Sequence, residues 1–157
     1  MEKLERISKE MLELAKAVAT KAHTGQFRKF GQREPYINHP KRVANSVKQY
    51  VQDSPTLIHY SVFEVVGWLH DSVEDSPLTF EKLKGYGFSQ DIVDAIDALS
   101  RRKGENYFEF VKRCMLNEIA TYVKIADLTD NSSDLNEGSM LDKYRLAKYI
   151  LESEIKG

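Results

Sequence analysis

With 157 residues, 41% of them hydrophobic and 30% charged, the chain is long enough to bury a core without staples and lacks the composition of a disordered, fibrous or membrane-spanning protein. A formal net charge of -1 removes any global electrostatic case for binding nucleic acid or anionic membrane, so partners have to be argued locally. The single cysteine, Cys114, excludes an intrachain disulfide, suits a reducing compartment, and reads as a buried thiol rather than a nucleophile.

Met1 to Lys9 mixes charged and apolar residues without an apolar leader core, and no run approaches a membrane span. The expectation is a cytoplasmic protein folded as one domain over residues 1–157. Leu4, Ile7, Met11, Leu14, Ala15 and Val18 recur at helical spacing, which predicts an amphipathic helix over 3–23 that delivers His23 at its end. The periodicity fails from Thr24 to Asn38, where Gly25, Gly31 and Pro35 with Arg28, Lys29 and Arg33 mark a basic loop. Asn38-His39-Pro40 reads as the next helix start, with Asn as its cap, running to about Tyr50.

Asp53-Ser54-Pro55 is a turn, and His59 after it reads as a surface histidine. The segment 56–72 is the most continuously apolar in the chain and long enough to be a buried central helix. Thr79 can cap a short helix closed by Gly85, and Ser89 the next, with Ile92, Val93, Ile96 and Leu99 inward. Arg101-Arg102-Lys103-Gly104 is a basic exit loop. Helices over 106–115 and 117–131 follow, and a last one starts at Ser139 with Asp142 placed as in a capping box. No segment alternates as a strand, so the expected fold class is all-α, an irregular multi-helix bundle around the apolar helix.

The chemistry-bearing residues gather at the polar end of that helix, in Gly67-Trp68-Leu69-His70-Asp71-Ser72-Val73-Glu74-Asp75-Ser76-Pro77. If the helix continues through this stretch, His70 with Glu74 and Asp71 with Asp75 are i,i+4 pairs on one surface. Three carboxylates beside one imidazole need a compensating cation or a retained proton, and a divalent metal is the simplest resolution. A solvated acidic helix end before a Ser-Pro turn is the alternative that the stretch by itself leaves open. Bundles draw metal ligands from several helices, which makes His39 and Asp127 further candidates, with Asp130 and Asp134 competing for the latter's place.

Four runs carry a resemblance: Ala22-His23-Thr24-Gly25-Gln26-Phe27-Arg28-Lys29, Pro35-Tyr36-Ile37-Asn38-His39-Pro40, Leu69-His70-Asp71-Ser72-Val73-Glu74-Asp75-Ser76, and Val123-Lys124-Ile125-Ala126-Asp127 ending at Asn131. In order and kind they resemble the hydrolase domain of the RelA/SpoT family within the HD superfamily, including its small stand-alone alarmone hydrolases. The resemblance implies the HD-domain fold and one divalent metal, usually Mn²⁺, held by His39, His70, Asp71 and Asp127. It implies that Glu74 and Asp75 position and deprotonate the attacking water. Arg28 would stack on the nucleotide base, Lys29 would sit beside phosphate, and Tyr36 and Asn131 would contact substrate. His23 and Lys124 would support the site rather than perform chemistry.

Three departures bear on the substrate. Gln32-Arg33-Glu34 makes the loop between Gly31 and Pro35 longer than is usual in the family, Leu128-Thr129-Asp130-Asn131 follows Asp127 where family members commonly place a basic residue, and Asp134 stands where those hydrolases often carry threonine. An acid there repels phosphate unless the metal or Lys29 offsets it. The implied activity is removal of the 3′-pyrophosphate from a guanosine polyphosphate of the (p)ppGpp type, the small-molecule partner in the stringent response. The rival readings are an HD phosphohydrolase acting on another nucleotide or dinucleotide phosphate, and a non-catalytic alarmone-binding module.

Overall fold

The computed structural model describes residues 2–29, 33–52 and 60–156. Gly31, Gln32, the Asp53-Ser54-Pro55 turn, the predicted helix start at Thr56 and His59 lie outside them, as do the side chains of Leu4 and Ile7. Among the described residues the chain forms eight α-helices and no strand: α1 (Glu2–Ala22), α2 (Asn38–Gln52), α3 (Tyr60–Leu69), α4 (Phe80–Gly85), α5 (Gln90–Ala98), α6 (Tyr107–Met115), α7 (Glu118–Ser133) and α8 (Ser139–Lys156). No helix among these is long and apolar enough to cross a membrane.

The apolar helix is central, as its composition requires. α3 packs against α1, α2, α5 and α7, with Phe63, Val65, Val66 and Leu69 wholly buried. Burying such side chains contributes about 1.5–3 kcal/mol each, which is why a helix apolar on nearly every face ends up inside. Gly67 sets how closely α2 approaches: a Cβ there would lie 2.7 Å from the Ala44 Cα. The glycine thus lets two backbones touch at the level where His39 and His70 emerge.

Several helix ends follow the sequence closely. Thr79 and Ser89 accept N–H groups as N-caps of α4 and α5, and Ile92, Val93, Ile96 and Leu99 are buried. Others differ for identifiable reasons. Asn38 is the first residue of α2 rather than its cap: the carbonyls of Pro35, Tyr36 and Ile37 already accept the N–H groups of Asn38, His39 and Lys41, and the Asn38 amide donates to Glu34 instead. Asp142 N–H bonds to the Gly138 carbonyl, so Ser139 begins α8 without a capping box. α4 ends at Gly85 as expected, while the left-handed residue is Gly87 (φ 98°), two positions past the helix.

The largest correction concerns the signature stretch. α3 stops at Leu69, and residues 70–75 continue as successive turns instead of the predicted helix. There the His70 imidazole donates to the Gly67 carbonyl and Ser72 N–H bonds only three residues back, to Leu69, so helical geometry gives way to tighter turns. One i,i+4 main-chain bond survives, Asp75 N–H to the Asp71 carbonyl at 3.1 Å. The described flanks of the basic loop pair with each other. Phe27 and Pro35 form an antiparallel bridge, flanked by Arg28 N–H to Glu34 and Tyr36 N–H to Gln26, which folds the loop back as a hairpin.

Candidate metal centre and adjoining cleft

Four side chains from two helices and the signature turn converge on one point. His39 from α2, His70 and Asp71 at the end of α3, and Asp127 from α7 each offer a ligand atom within 4.8 Å of the others. Asp127 Oδ1 lies 2.9 Å from His39 Nε2 and 3.2 Å from His70 Nε2, while Asp71 Oδ1 is 3.0 Å from His70 Nε2. His39, His70 and Asp127 are almost wholly buried, and Asp71 is half-buried at the rim.

Both rings are fixed from behind. The Gly67 carbonyl accepts a bond from His70 Nδ1 at 2.7 Å, and a carbonyl cannot donate, so a neutral His70 carries its proton on Nδ1 and turns a lone pair at Nε2 toward the cluster. Asp130 takes His39 Nδ1 at 2.6 Å and does the same for that ring. Carboxylates or carbonyls behind imidazoles are the usual support of metal-ligating histidines. Two imidazole nitrogens and two carboxylates suit a divalent first-row ion, and the residues present fit one.

α7 supplies this support because Asp127, Asp130, Asn131 and Asp134 fall three and four residues apart on one face. Each does a different thing. Asp127 joins the cluster and accepts Lys124 Nζ on its second oxygen at 2.8 Å. Asp130 holds His39 and pairs with Arg42, which is also held by Glu34. Asn131 donates to Asp127 Oδ1 and accepts from Arg28, and Asp134 accepts two N–H groups of Arg28. The offset for Asp134 is therefore Arg28, not Lys29 or the metal. Arg42, Glu34 and Gln26 carry no site role in the sequence reading, and Asp130 enters it only as a competitor of Asp127; its helical spacing from Asp127 is the signal for a role of its own.

Electrostatics follow from this packing. Burial opposes ionisation of Asp127, but the Lys124 charge and the bonds from both imidazoles outweigh it and hold the carboxylate well below its usual range. Asp71 is lowered in the same way, chiefly by His70 against the cost of burial. His39 and His70 are raised: burial alone would lower them, and the surrounding carboxylates reverse that. The cluster thus demands positive charge at its centre, which protons on the imidazoles or a bound cation would supply. Cys114 is elsewhere, wholly buried with its thiol pushed up to about 12 by desolvation, and unsuited to nucleophilic work.

Glu74 and Asp75 lie on the exposed side of the turn, and both carboxyls are raised, first by desolvation and then by the neighbouring acids. They do not share one environment. Asp75 lines an open cleft of about 510 Å³ together with Gln26, Arg28, Lys29, Tyr36 and Asn131. Glu74 accepts the main-chain N–H of Arg101, so its carboxylate is tied to the loop before α6. Tyr36 links cleft and cluster by donating to Asp71 Oδ2 at 2.6 Å. Lys29 is exposed in the cleft, whereas Arg28 is buried against α7. Every residue expected to bind substrate thus lies along one wall, next to the four residues expected to bind metal.

A 130-residue stretch covering 80% of the chain is 32% identical to a guanosine-3′,5′-bis(diphosphate) 3′-pyrophosphohydrolase of Xenopus tropicalis, of which it covers 69%. The chain belongs to that pyrophosphohydrolase family. The family's namesake in Haemophilus influenzae is 34% identical over 145 residues, 86% of the chain but 20% of the relative. The chain spans about a fifth of the length of the first curated relatives it matches. No family model matches it. Among solved structures, a metazoan orthologue of SpoT described as hydrolysing ppGpp superimposes with a TM-score of 0.70 at 21% identity, over 94% of this chain and 86% of that one. The fold is therefore shared with that structure.

Proposed function

We propose that the chain is a metal-dependent phosphohydrolase that removes the 3′-pyrophosphate from guanosine 3′,5′-bis(diphosphate)-type alarmones, with His39, His70, Asp71 and Asp127 as ligands of one Mn²⁺. What supports this reading is the convergence of these four side chains beside a cleft that carries Arg28, Lys29 and Asp75. An ion held there supplies charge neutralisation at the phosphoryl group and acidifies water.

The chain's own residues do the rest. The Glu74-Asp75 pair orients a water and takes its proton, and the raised carboxyls bring their affinity for a proton nearer neutrality. The new bond forms from water oxygen to phosphorus, the bond from phosphorus to the 3′ oxygen breaks, and pyrophosphate and GDP or GTP leave. Lys29 meets phosphate as a point charge. Arg28 has its edges engaged by Asp134 and Asn131, so what it offers a base is its planar face. Tyr36 holds Asp71, and Asn131 links Arg28 to Asp127.

The test is incubation of the metal-loaded protein with the alarmone, resolving nucleotides and pyrophosphate, alongside metal analysis of the purified chain. Pyrophosphate release is expected, and its absence at high enzyme concentration overturns the proposal. A panel of other nucleotide and dinucleotide phosphates separates the rival hydrolase reading, and tight binding without turnover would establish a non-catalytic module.

A further inference from the structure

Gln26 stands where α1 gives way to the hairpin, on the wall of the cleft. Its amide nitrogen donates to two main-chain carbonyls, Asp75 at 2.7 Å and Ala22 at 3.3 Å. Two acceptors on one side fix the amide's orientation, because its oxygen in that place would meet both with repulsion. The Gln26 oxygen therefore faces His23 Nδ1, 2.8 Å away, and His23 must be the donor. That ring is 3% exposed and packs on Tyr36 with centroids 4.8 Å apart. Its Nε2 is buried without a partner among the described residues, a cost that persists only where the bond at Nδ1 and the packing outweigh it.

The other end of this chain of bonds is the turn that carries the acidic pair. Residues 70–75 have left α3, and the Glu74 and Asp75 side chains are exposed, so helix geometry does not aim them. Two hydrogen bonds tie them to distant segments: Arg101 N–H to Glu74, and Gln26 to the Asp75 carbonyl. We infer that Gln26, oriented by His23, is a positioning residue that sets the aim of the Glu74-Asp75 pair by holding the Asp75 main chain. This rests on the reading, proposed above, that the pair works on water.

Gln26→Glu is the sharpest test, since it keeps the shape and replaces the donor by an oxygen facing the Asp75 carbonyl. In the metal-loaded full chain it is expected to keep its metal and its KM within about threefold, and to lower kcat about 10- to 100-fold. Amide exchange over residues 71–77 is expected to quicken. His23→Leu is expected to do the same, whereas His23→Asn, which retains an N–H near the place of Nδ1, restores kcat to near the starting value. The inference is overturned if exchange and kcat are both unchanged, if KM alone rises, or if Gln26→Glu loses its metal, which would place the tether in service of the ligands. Should the unaltered chain turn over no substrate, the hydrolase reading falls, while the exchange comparison still decides whether Gln26 holds the turn.

Discussion

The two halves of the signature stretch are held in opposite ways. His70 and Asp71 are packed between α2 and α7, and every polar atom that faces the cluster has a partner fixed by another. Glu74 and Asp75, three and four residues later, stand exposed on turns and are tied by main-chain bonds to the hairpin and to the loop before α6. The difference matches the two tasks proposed for them. Ion binding rewards preorganisation and burial, whereas groups that work on water need access to solvent and substrate.

The comparison breaks hardest at Asp71. Asp71→Ala removes a carboxylate that also anchors Tyr36, and complete loss of metal retention and of turnover is expected from metal analysis and the pyrophosphate assay. Retention of a full equivalent of metal would remove Asp71 from the ligand set. On the other half, Asp75→Asn and Glu74→Ala should each keep the metal and lose about 10²- to 10⁴-fold in kcat, the usual contribution of a positioned acid or base. Normal turnover by either variant assigns the proton to the other residue.

A smaller effect is expected from the backbone contact beneath the site. Gly67→Ala puts a Cβ 2.7 Å from the Ala44 Cα, so α2 and α3 must move apart. Overpacking of this kind costs about 1–3 kcal/mol, read as a lower denaturant midpoint. Because His39 lies on α2 and His70 directly follows α3, metal affinity should fall with stability. A stability loss with unchanged affinity would mean that the cluster tolerates the shift.

Much of this was legible from residue order because the chain's apolar pattern and its motifs agree. A segment as apolar as 60–69 had to be central, and the side chains of His39, His70, Asp71 and Asp127, which the motifs single out, lie together. The places where reading failed are those where a side chain overrides a local preference. α3 should have run on to Ser72, and stops where the His70 ring takes the Gly67 carbonyl. Asn38 has good capping chemistry but is pre-empted by the carbonyls of the preceding turn. Asp134 looked like a charge set against phosphate, and its partner Arg28, 106 residues away in sequence, could be found only once the hairpin and α7 were in place. Asp130 reads in the sequence as a competitor of Asp127, whereas helical periodicity gives the two different sides of one histidine.

The finest separation between the halves lies in their response to pH. His39 and His70 are raised above the ordinary imidazole range, so near neutrality protons compete with a cation for the cluster. Each proton displaced on binding gives tenfold in affinity per pH unit, so affinity should rise about 10- to 100-fold per unit as pH increases, and level off once both rings are neutral. Titration calorimetry in buffers of different ionisation enthalpy counts the protons released. The carboxyls of Glu74 and Asp75 are raised too, but they must be ionised to accept a proton from water, so turnover at saturating metal should fall with acidification at a higher pH than an ordinary carboxylate would give. Metal concentration distinguishes the two: a limb that moves when metal is increased belongs to the imidazoles, and one that stays in place but shifts in Asp75→Asn belongs to the acidic pair. If the only limb seen follows the metal, the turn does not carry the proton transfer.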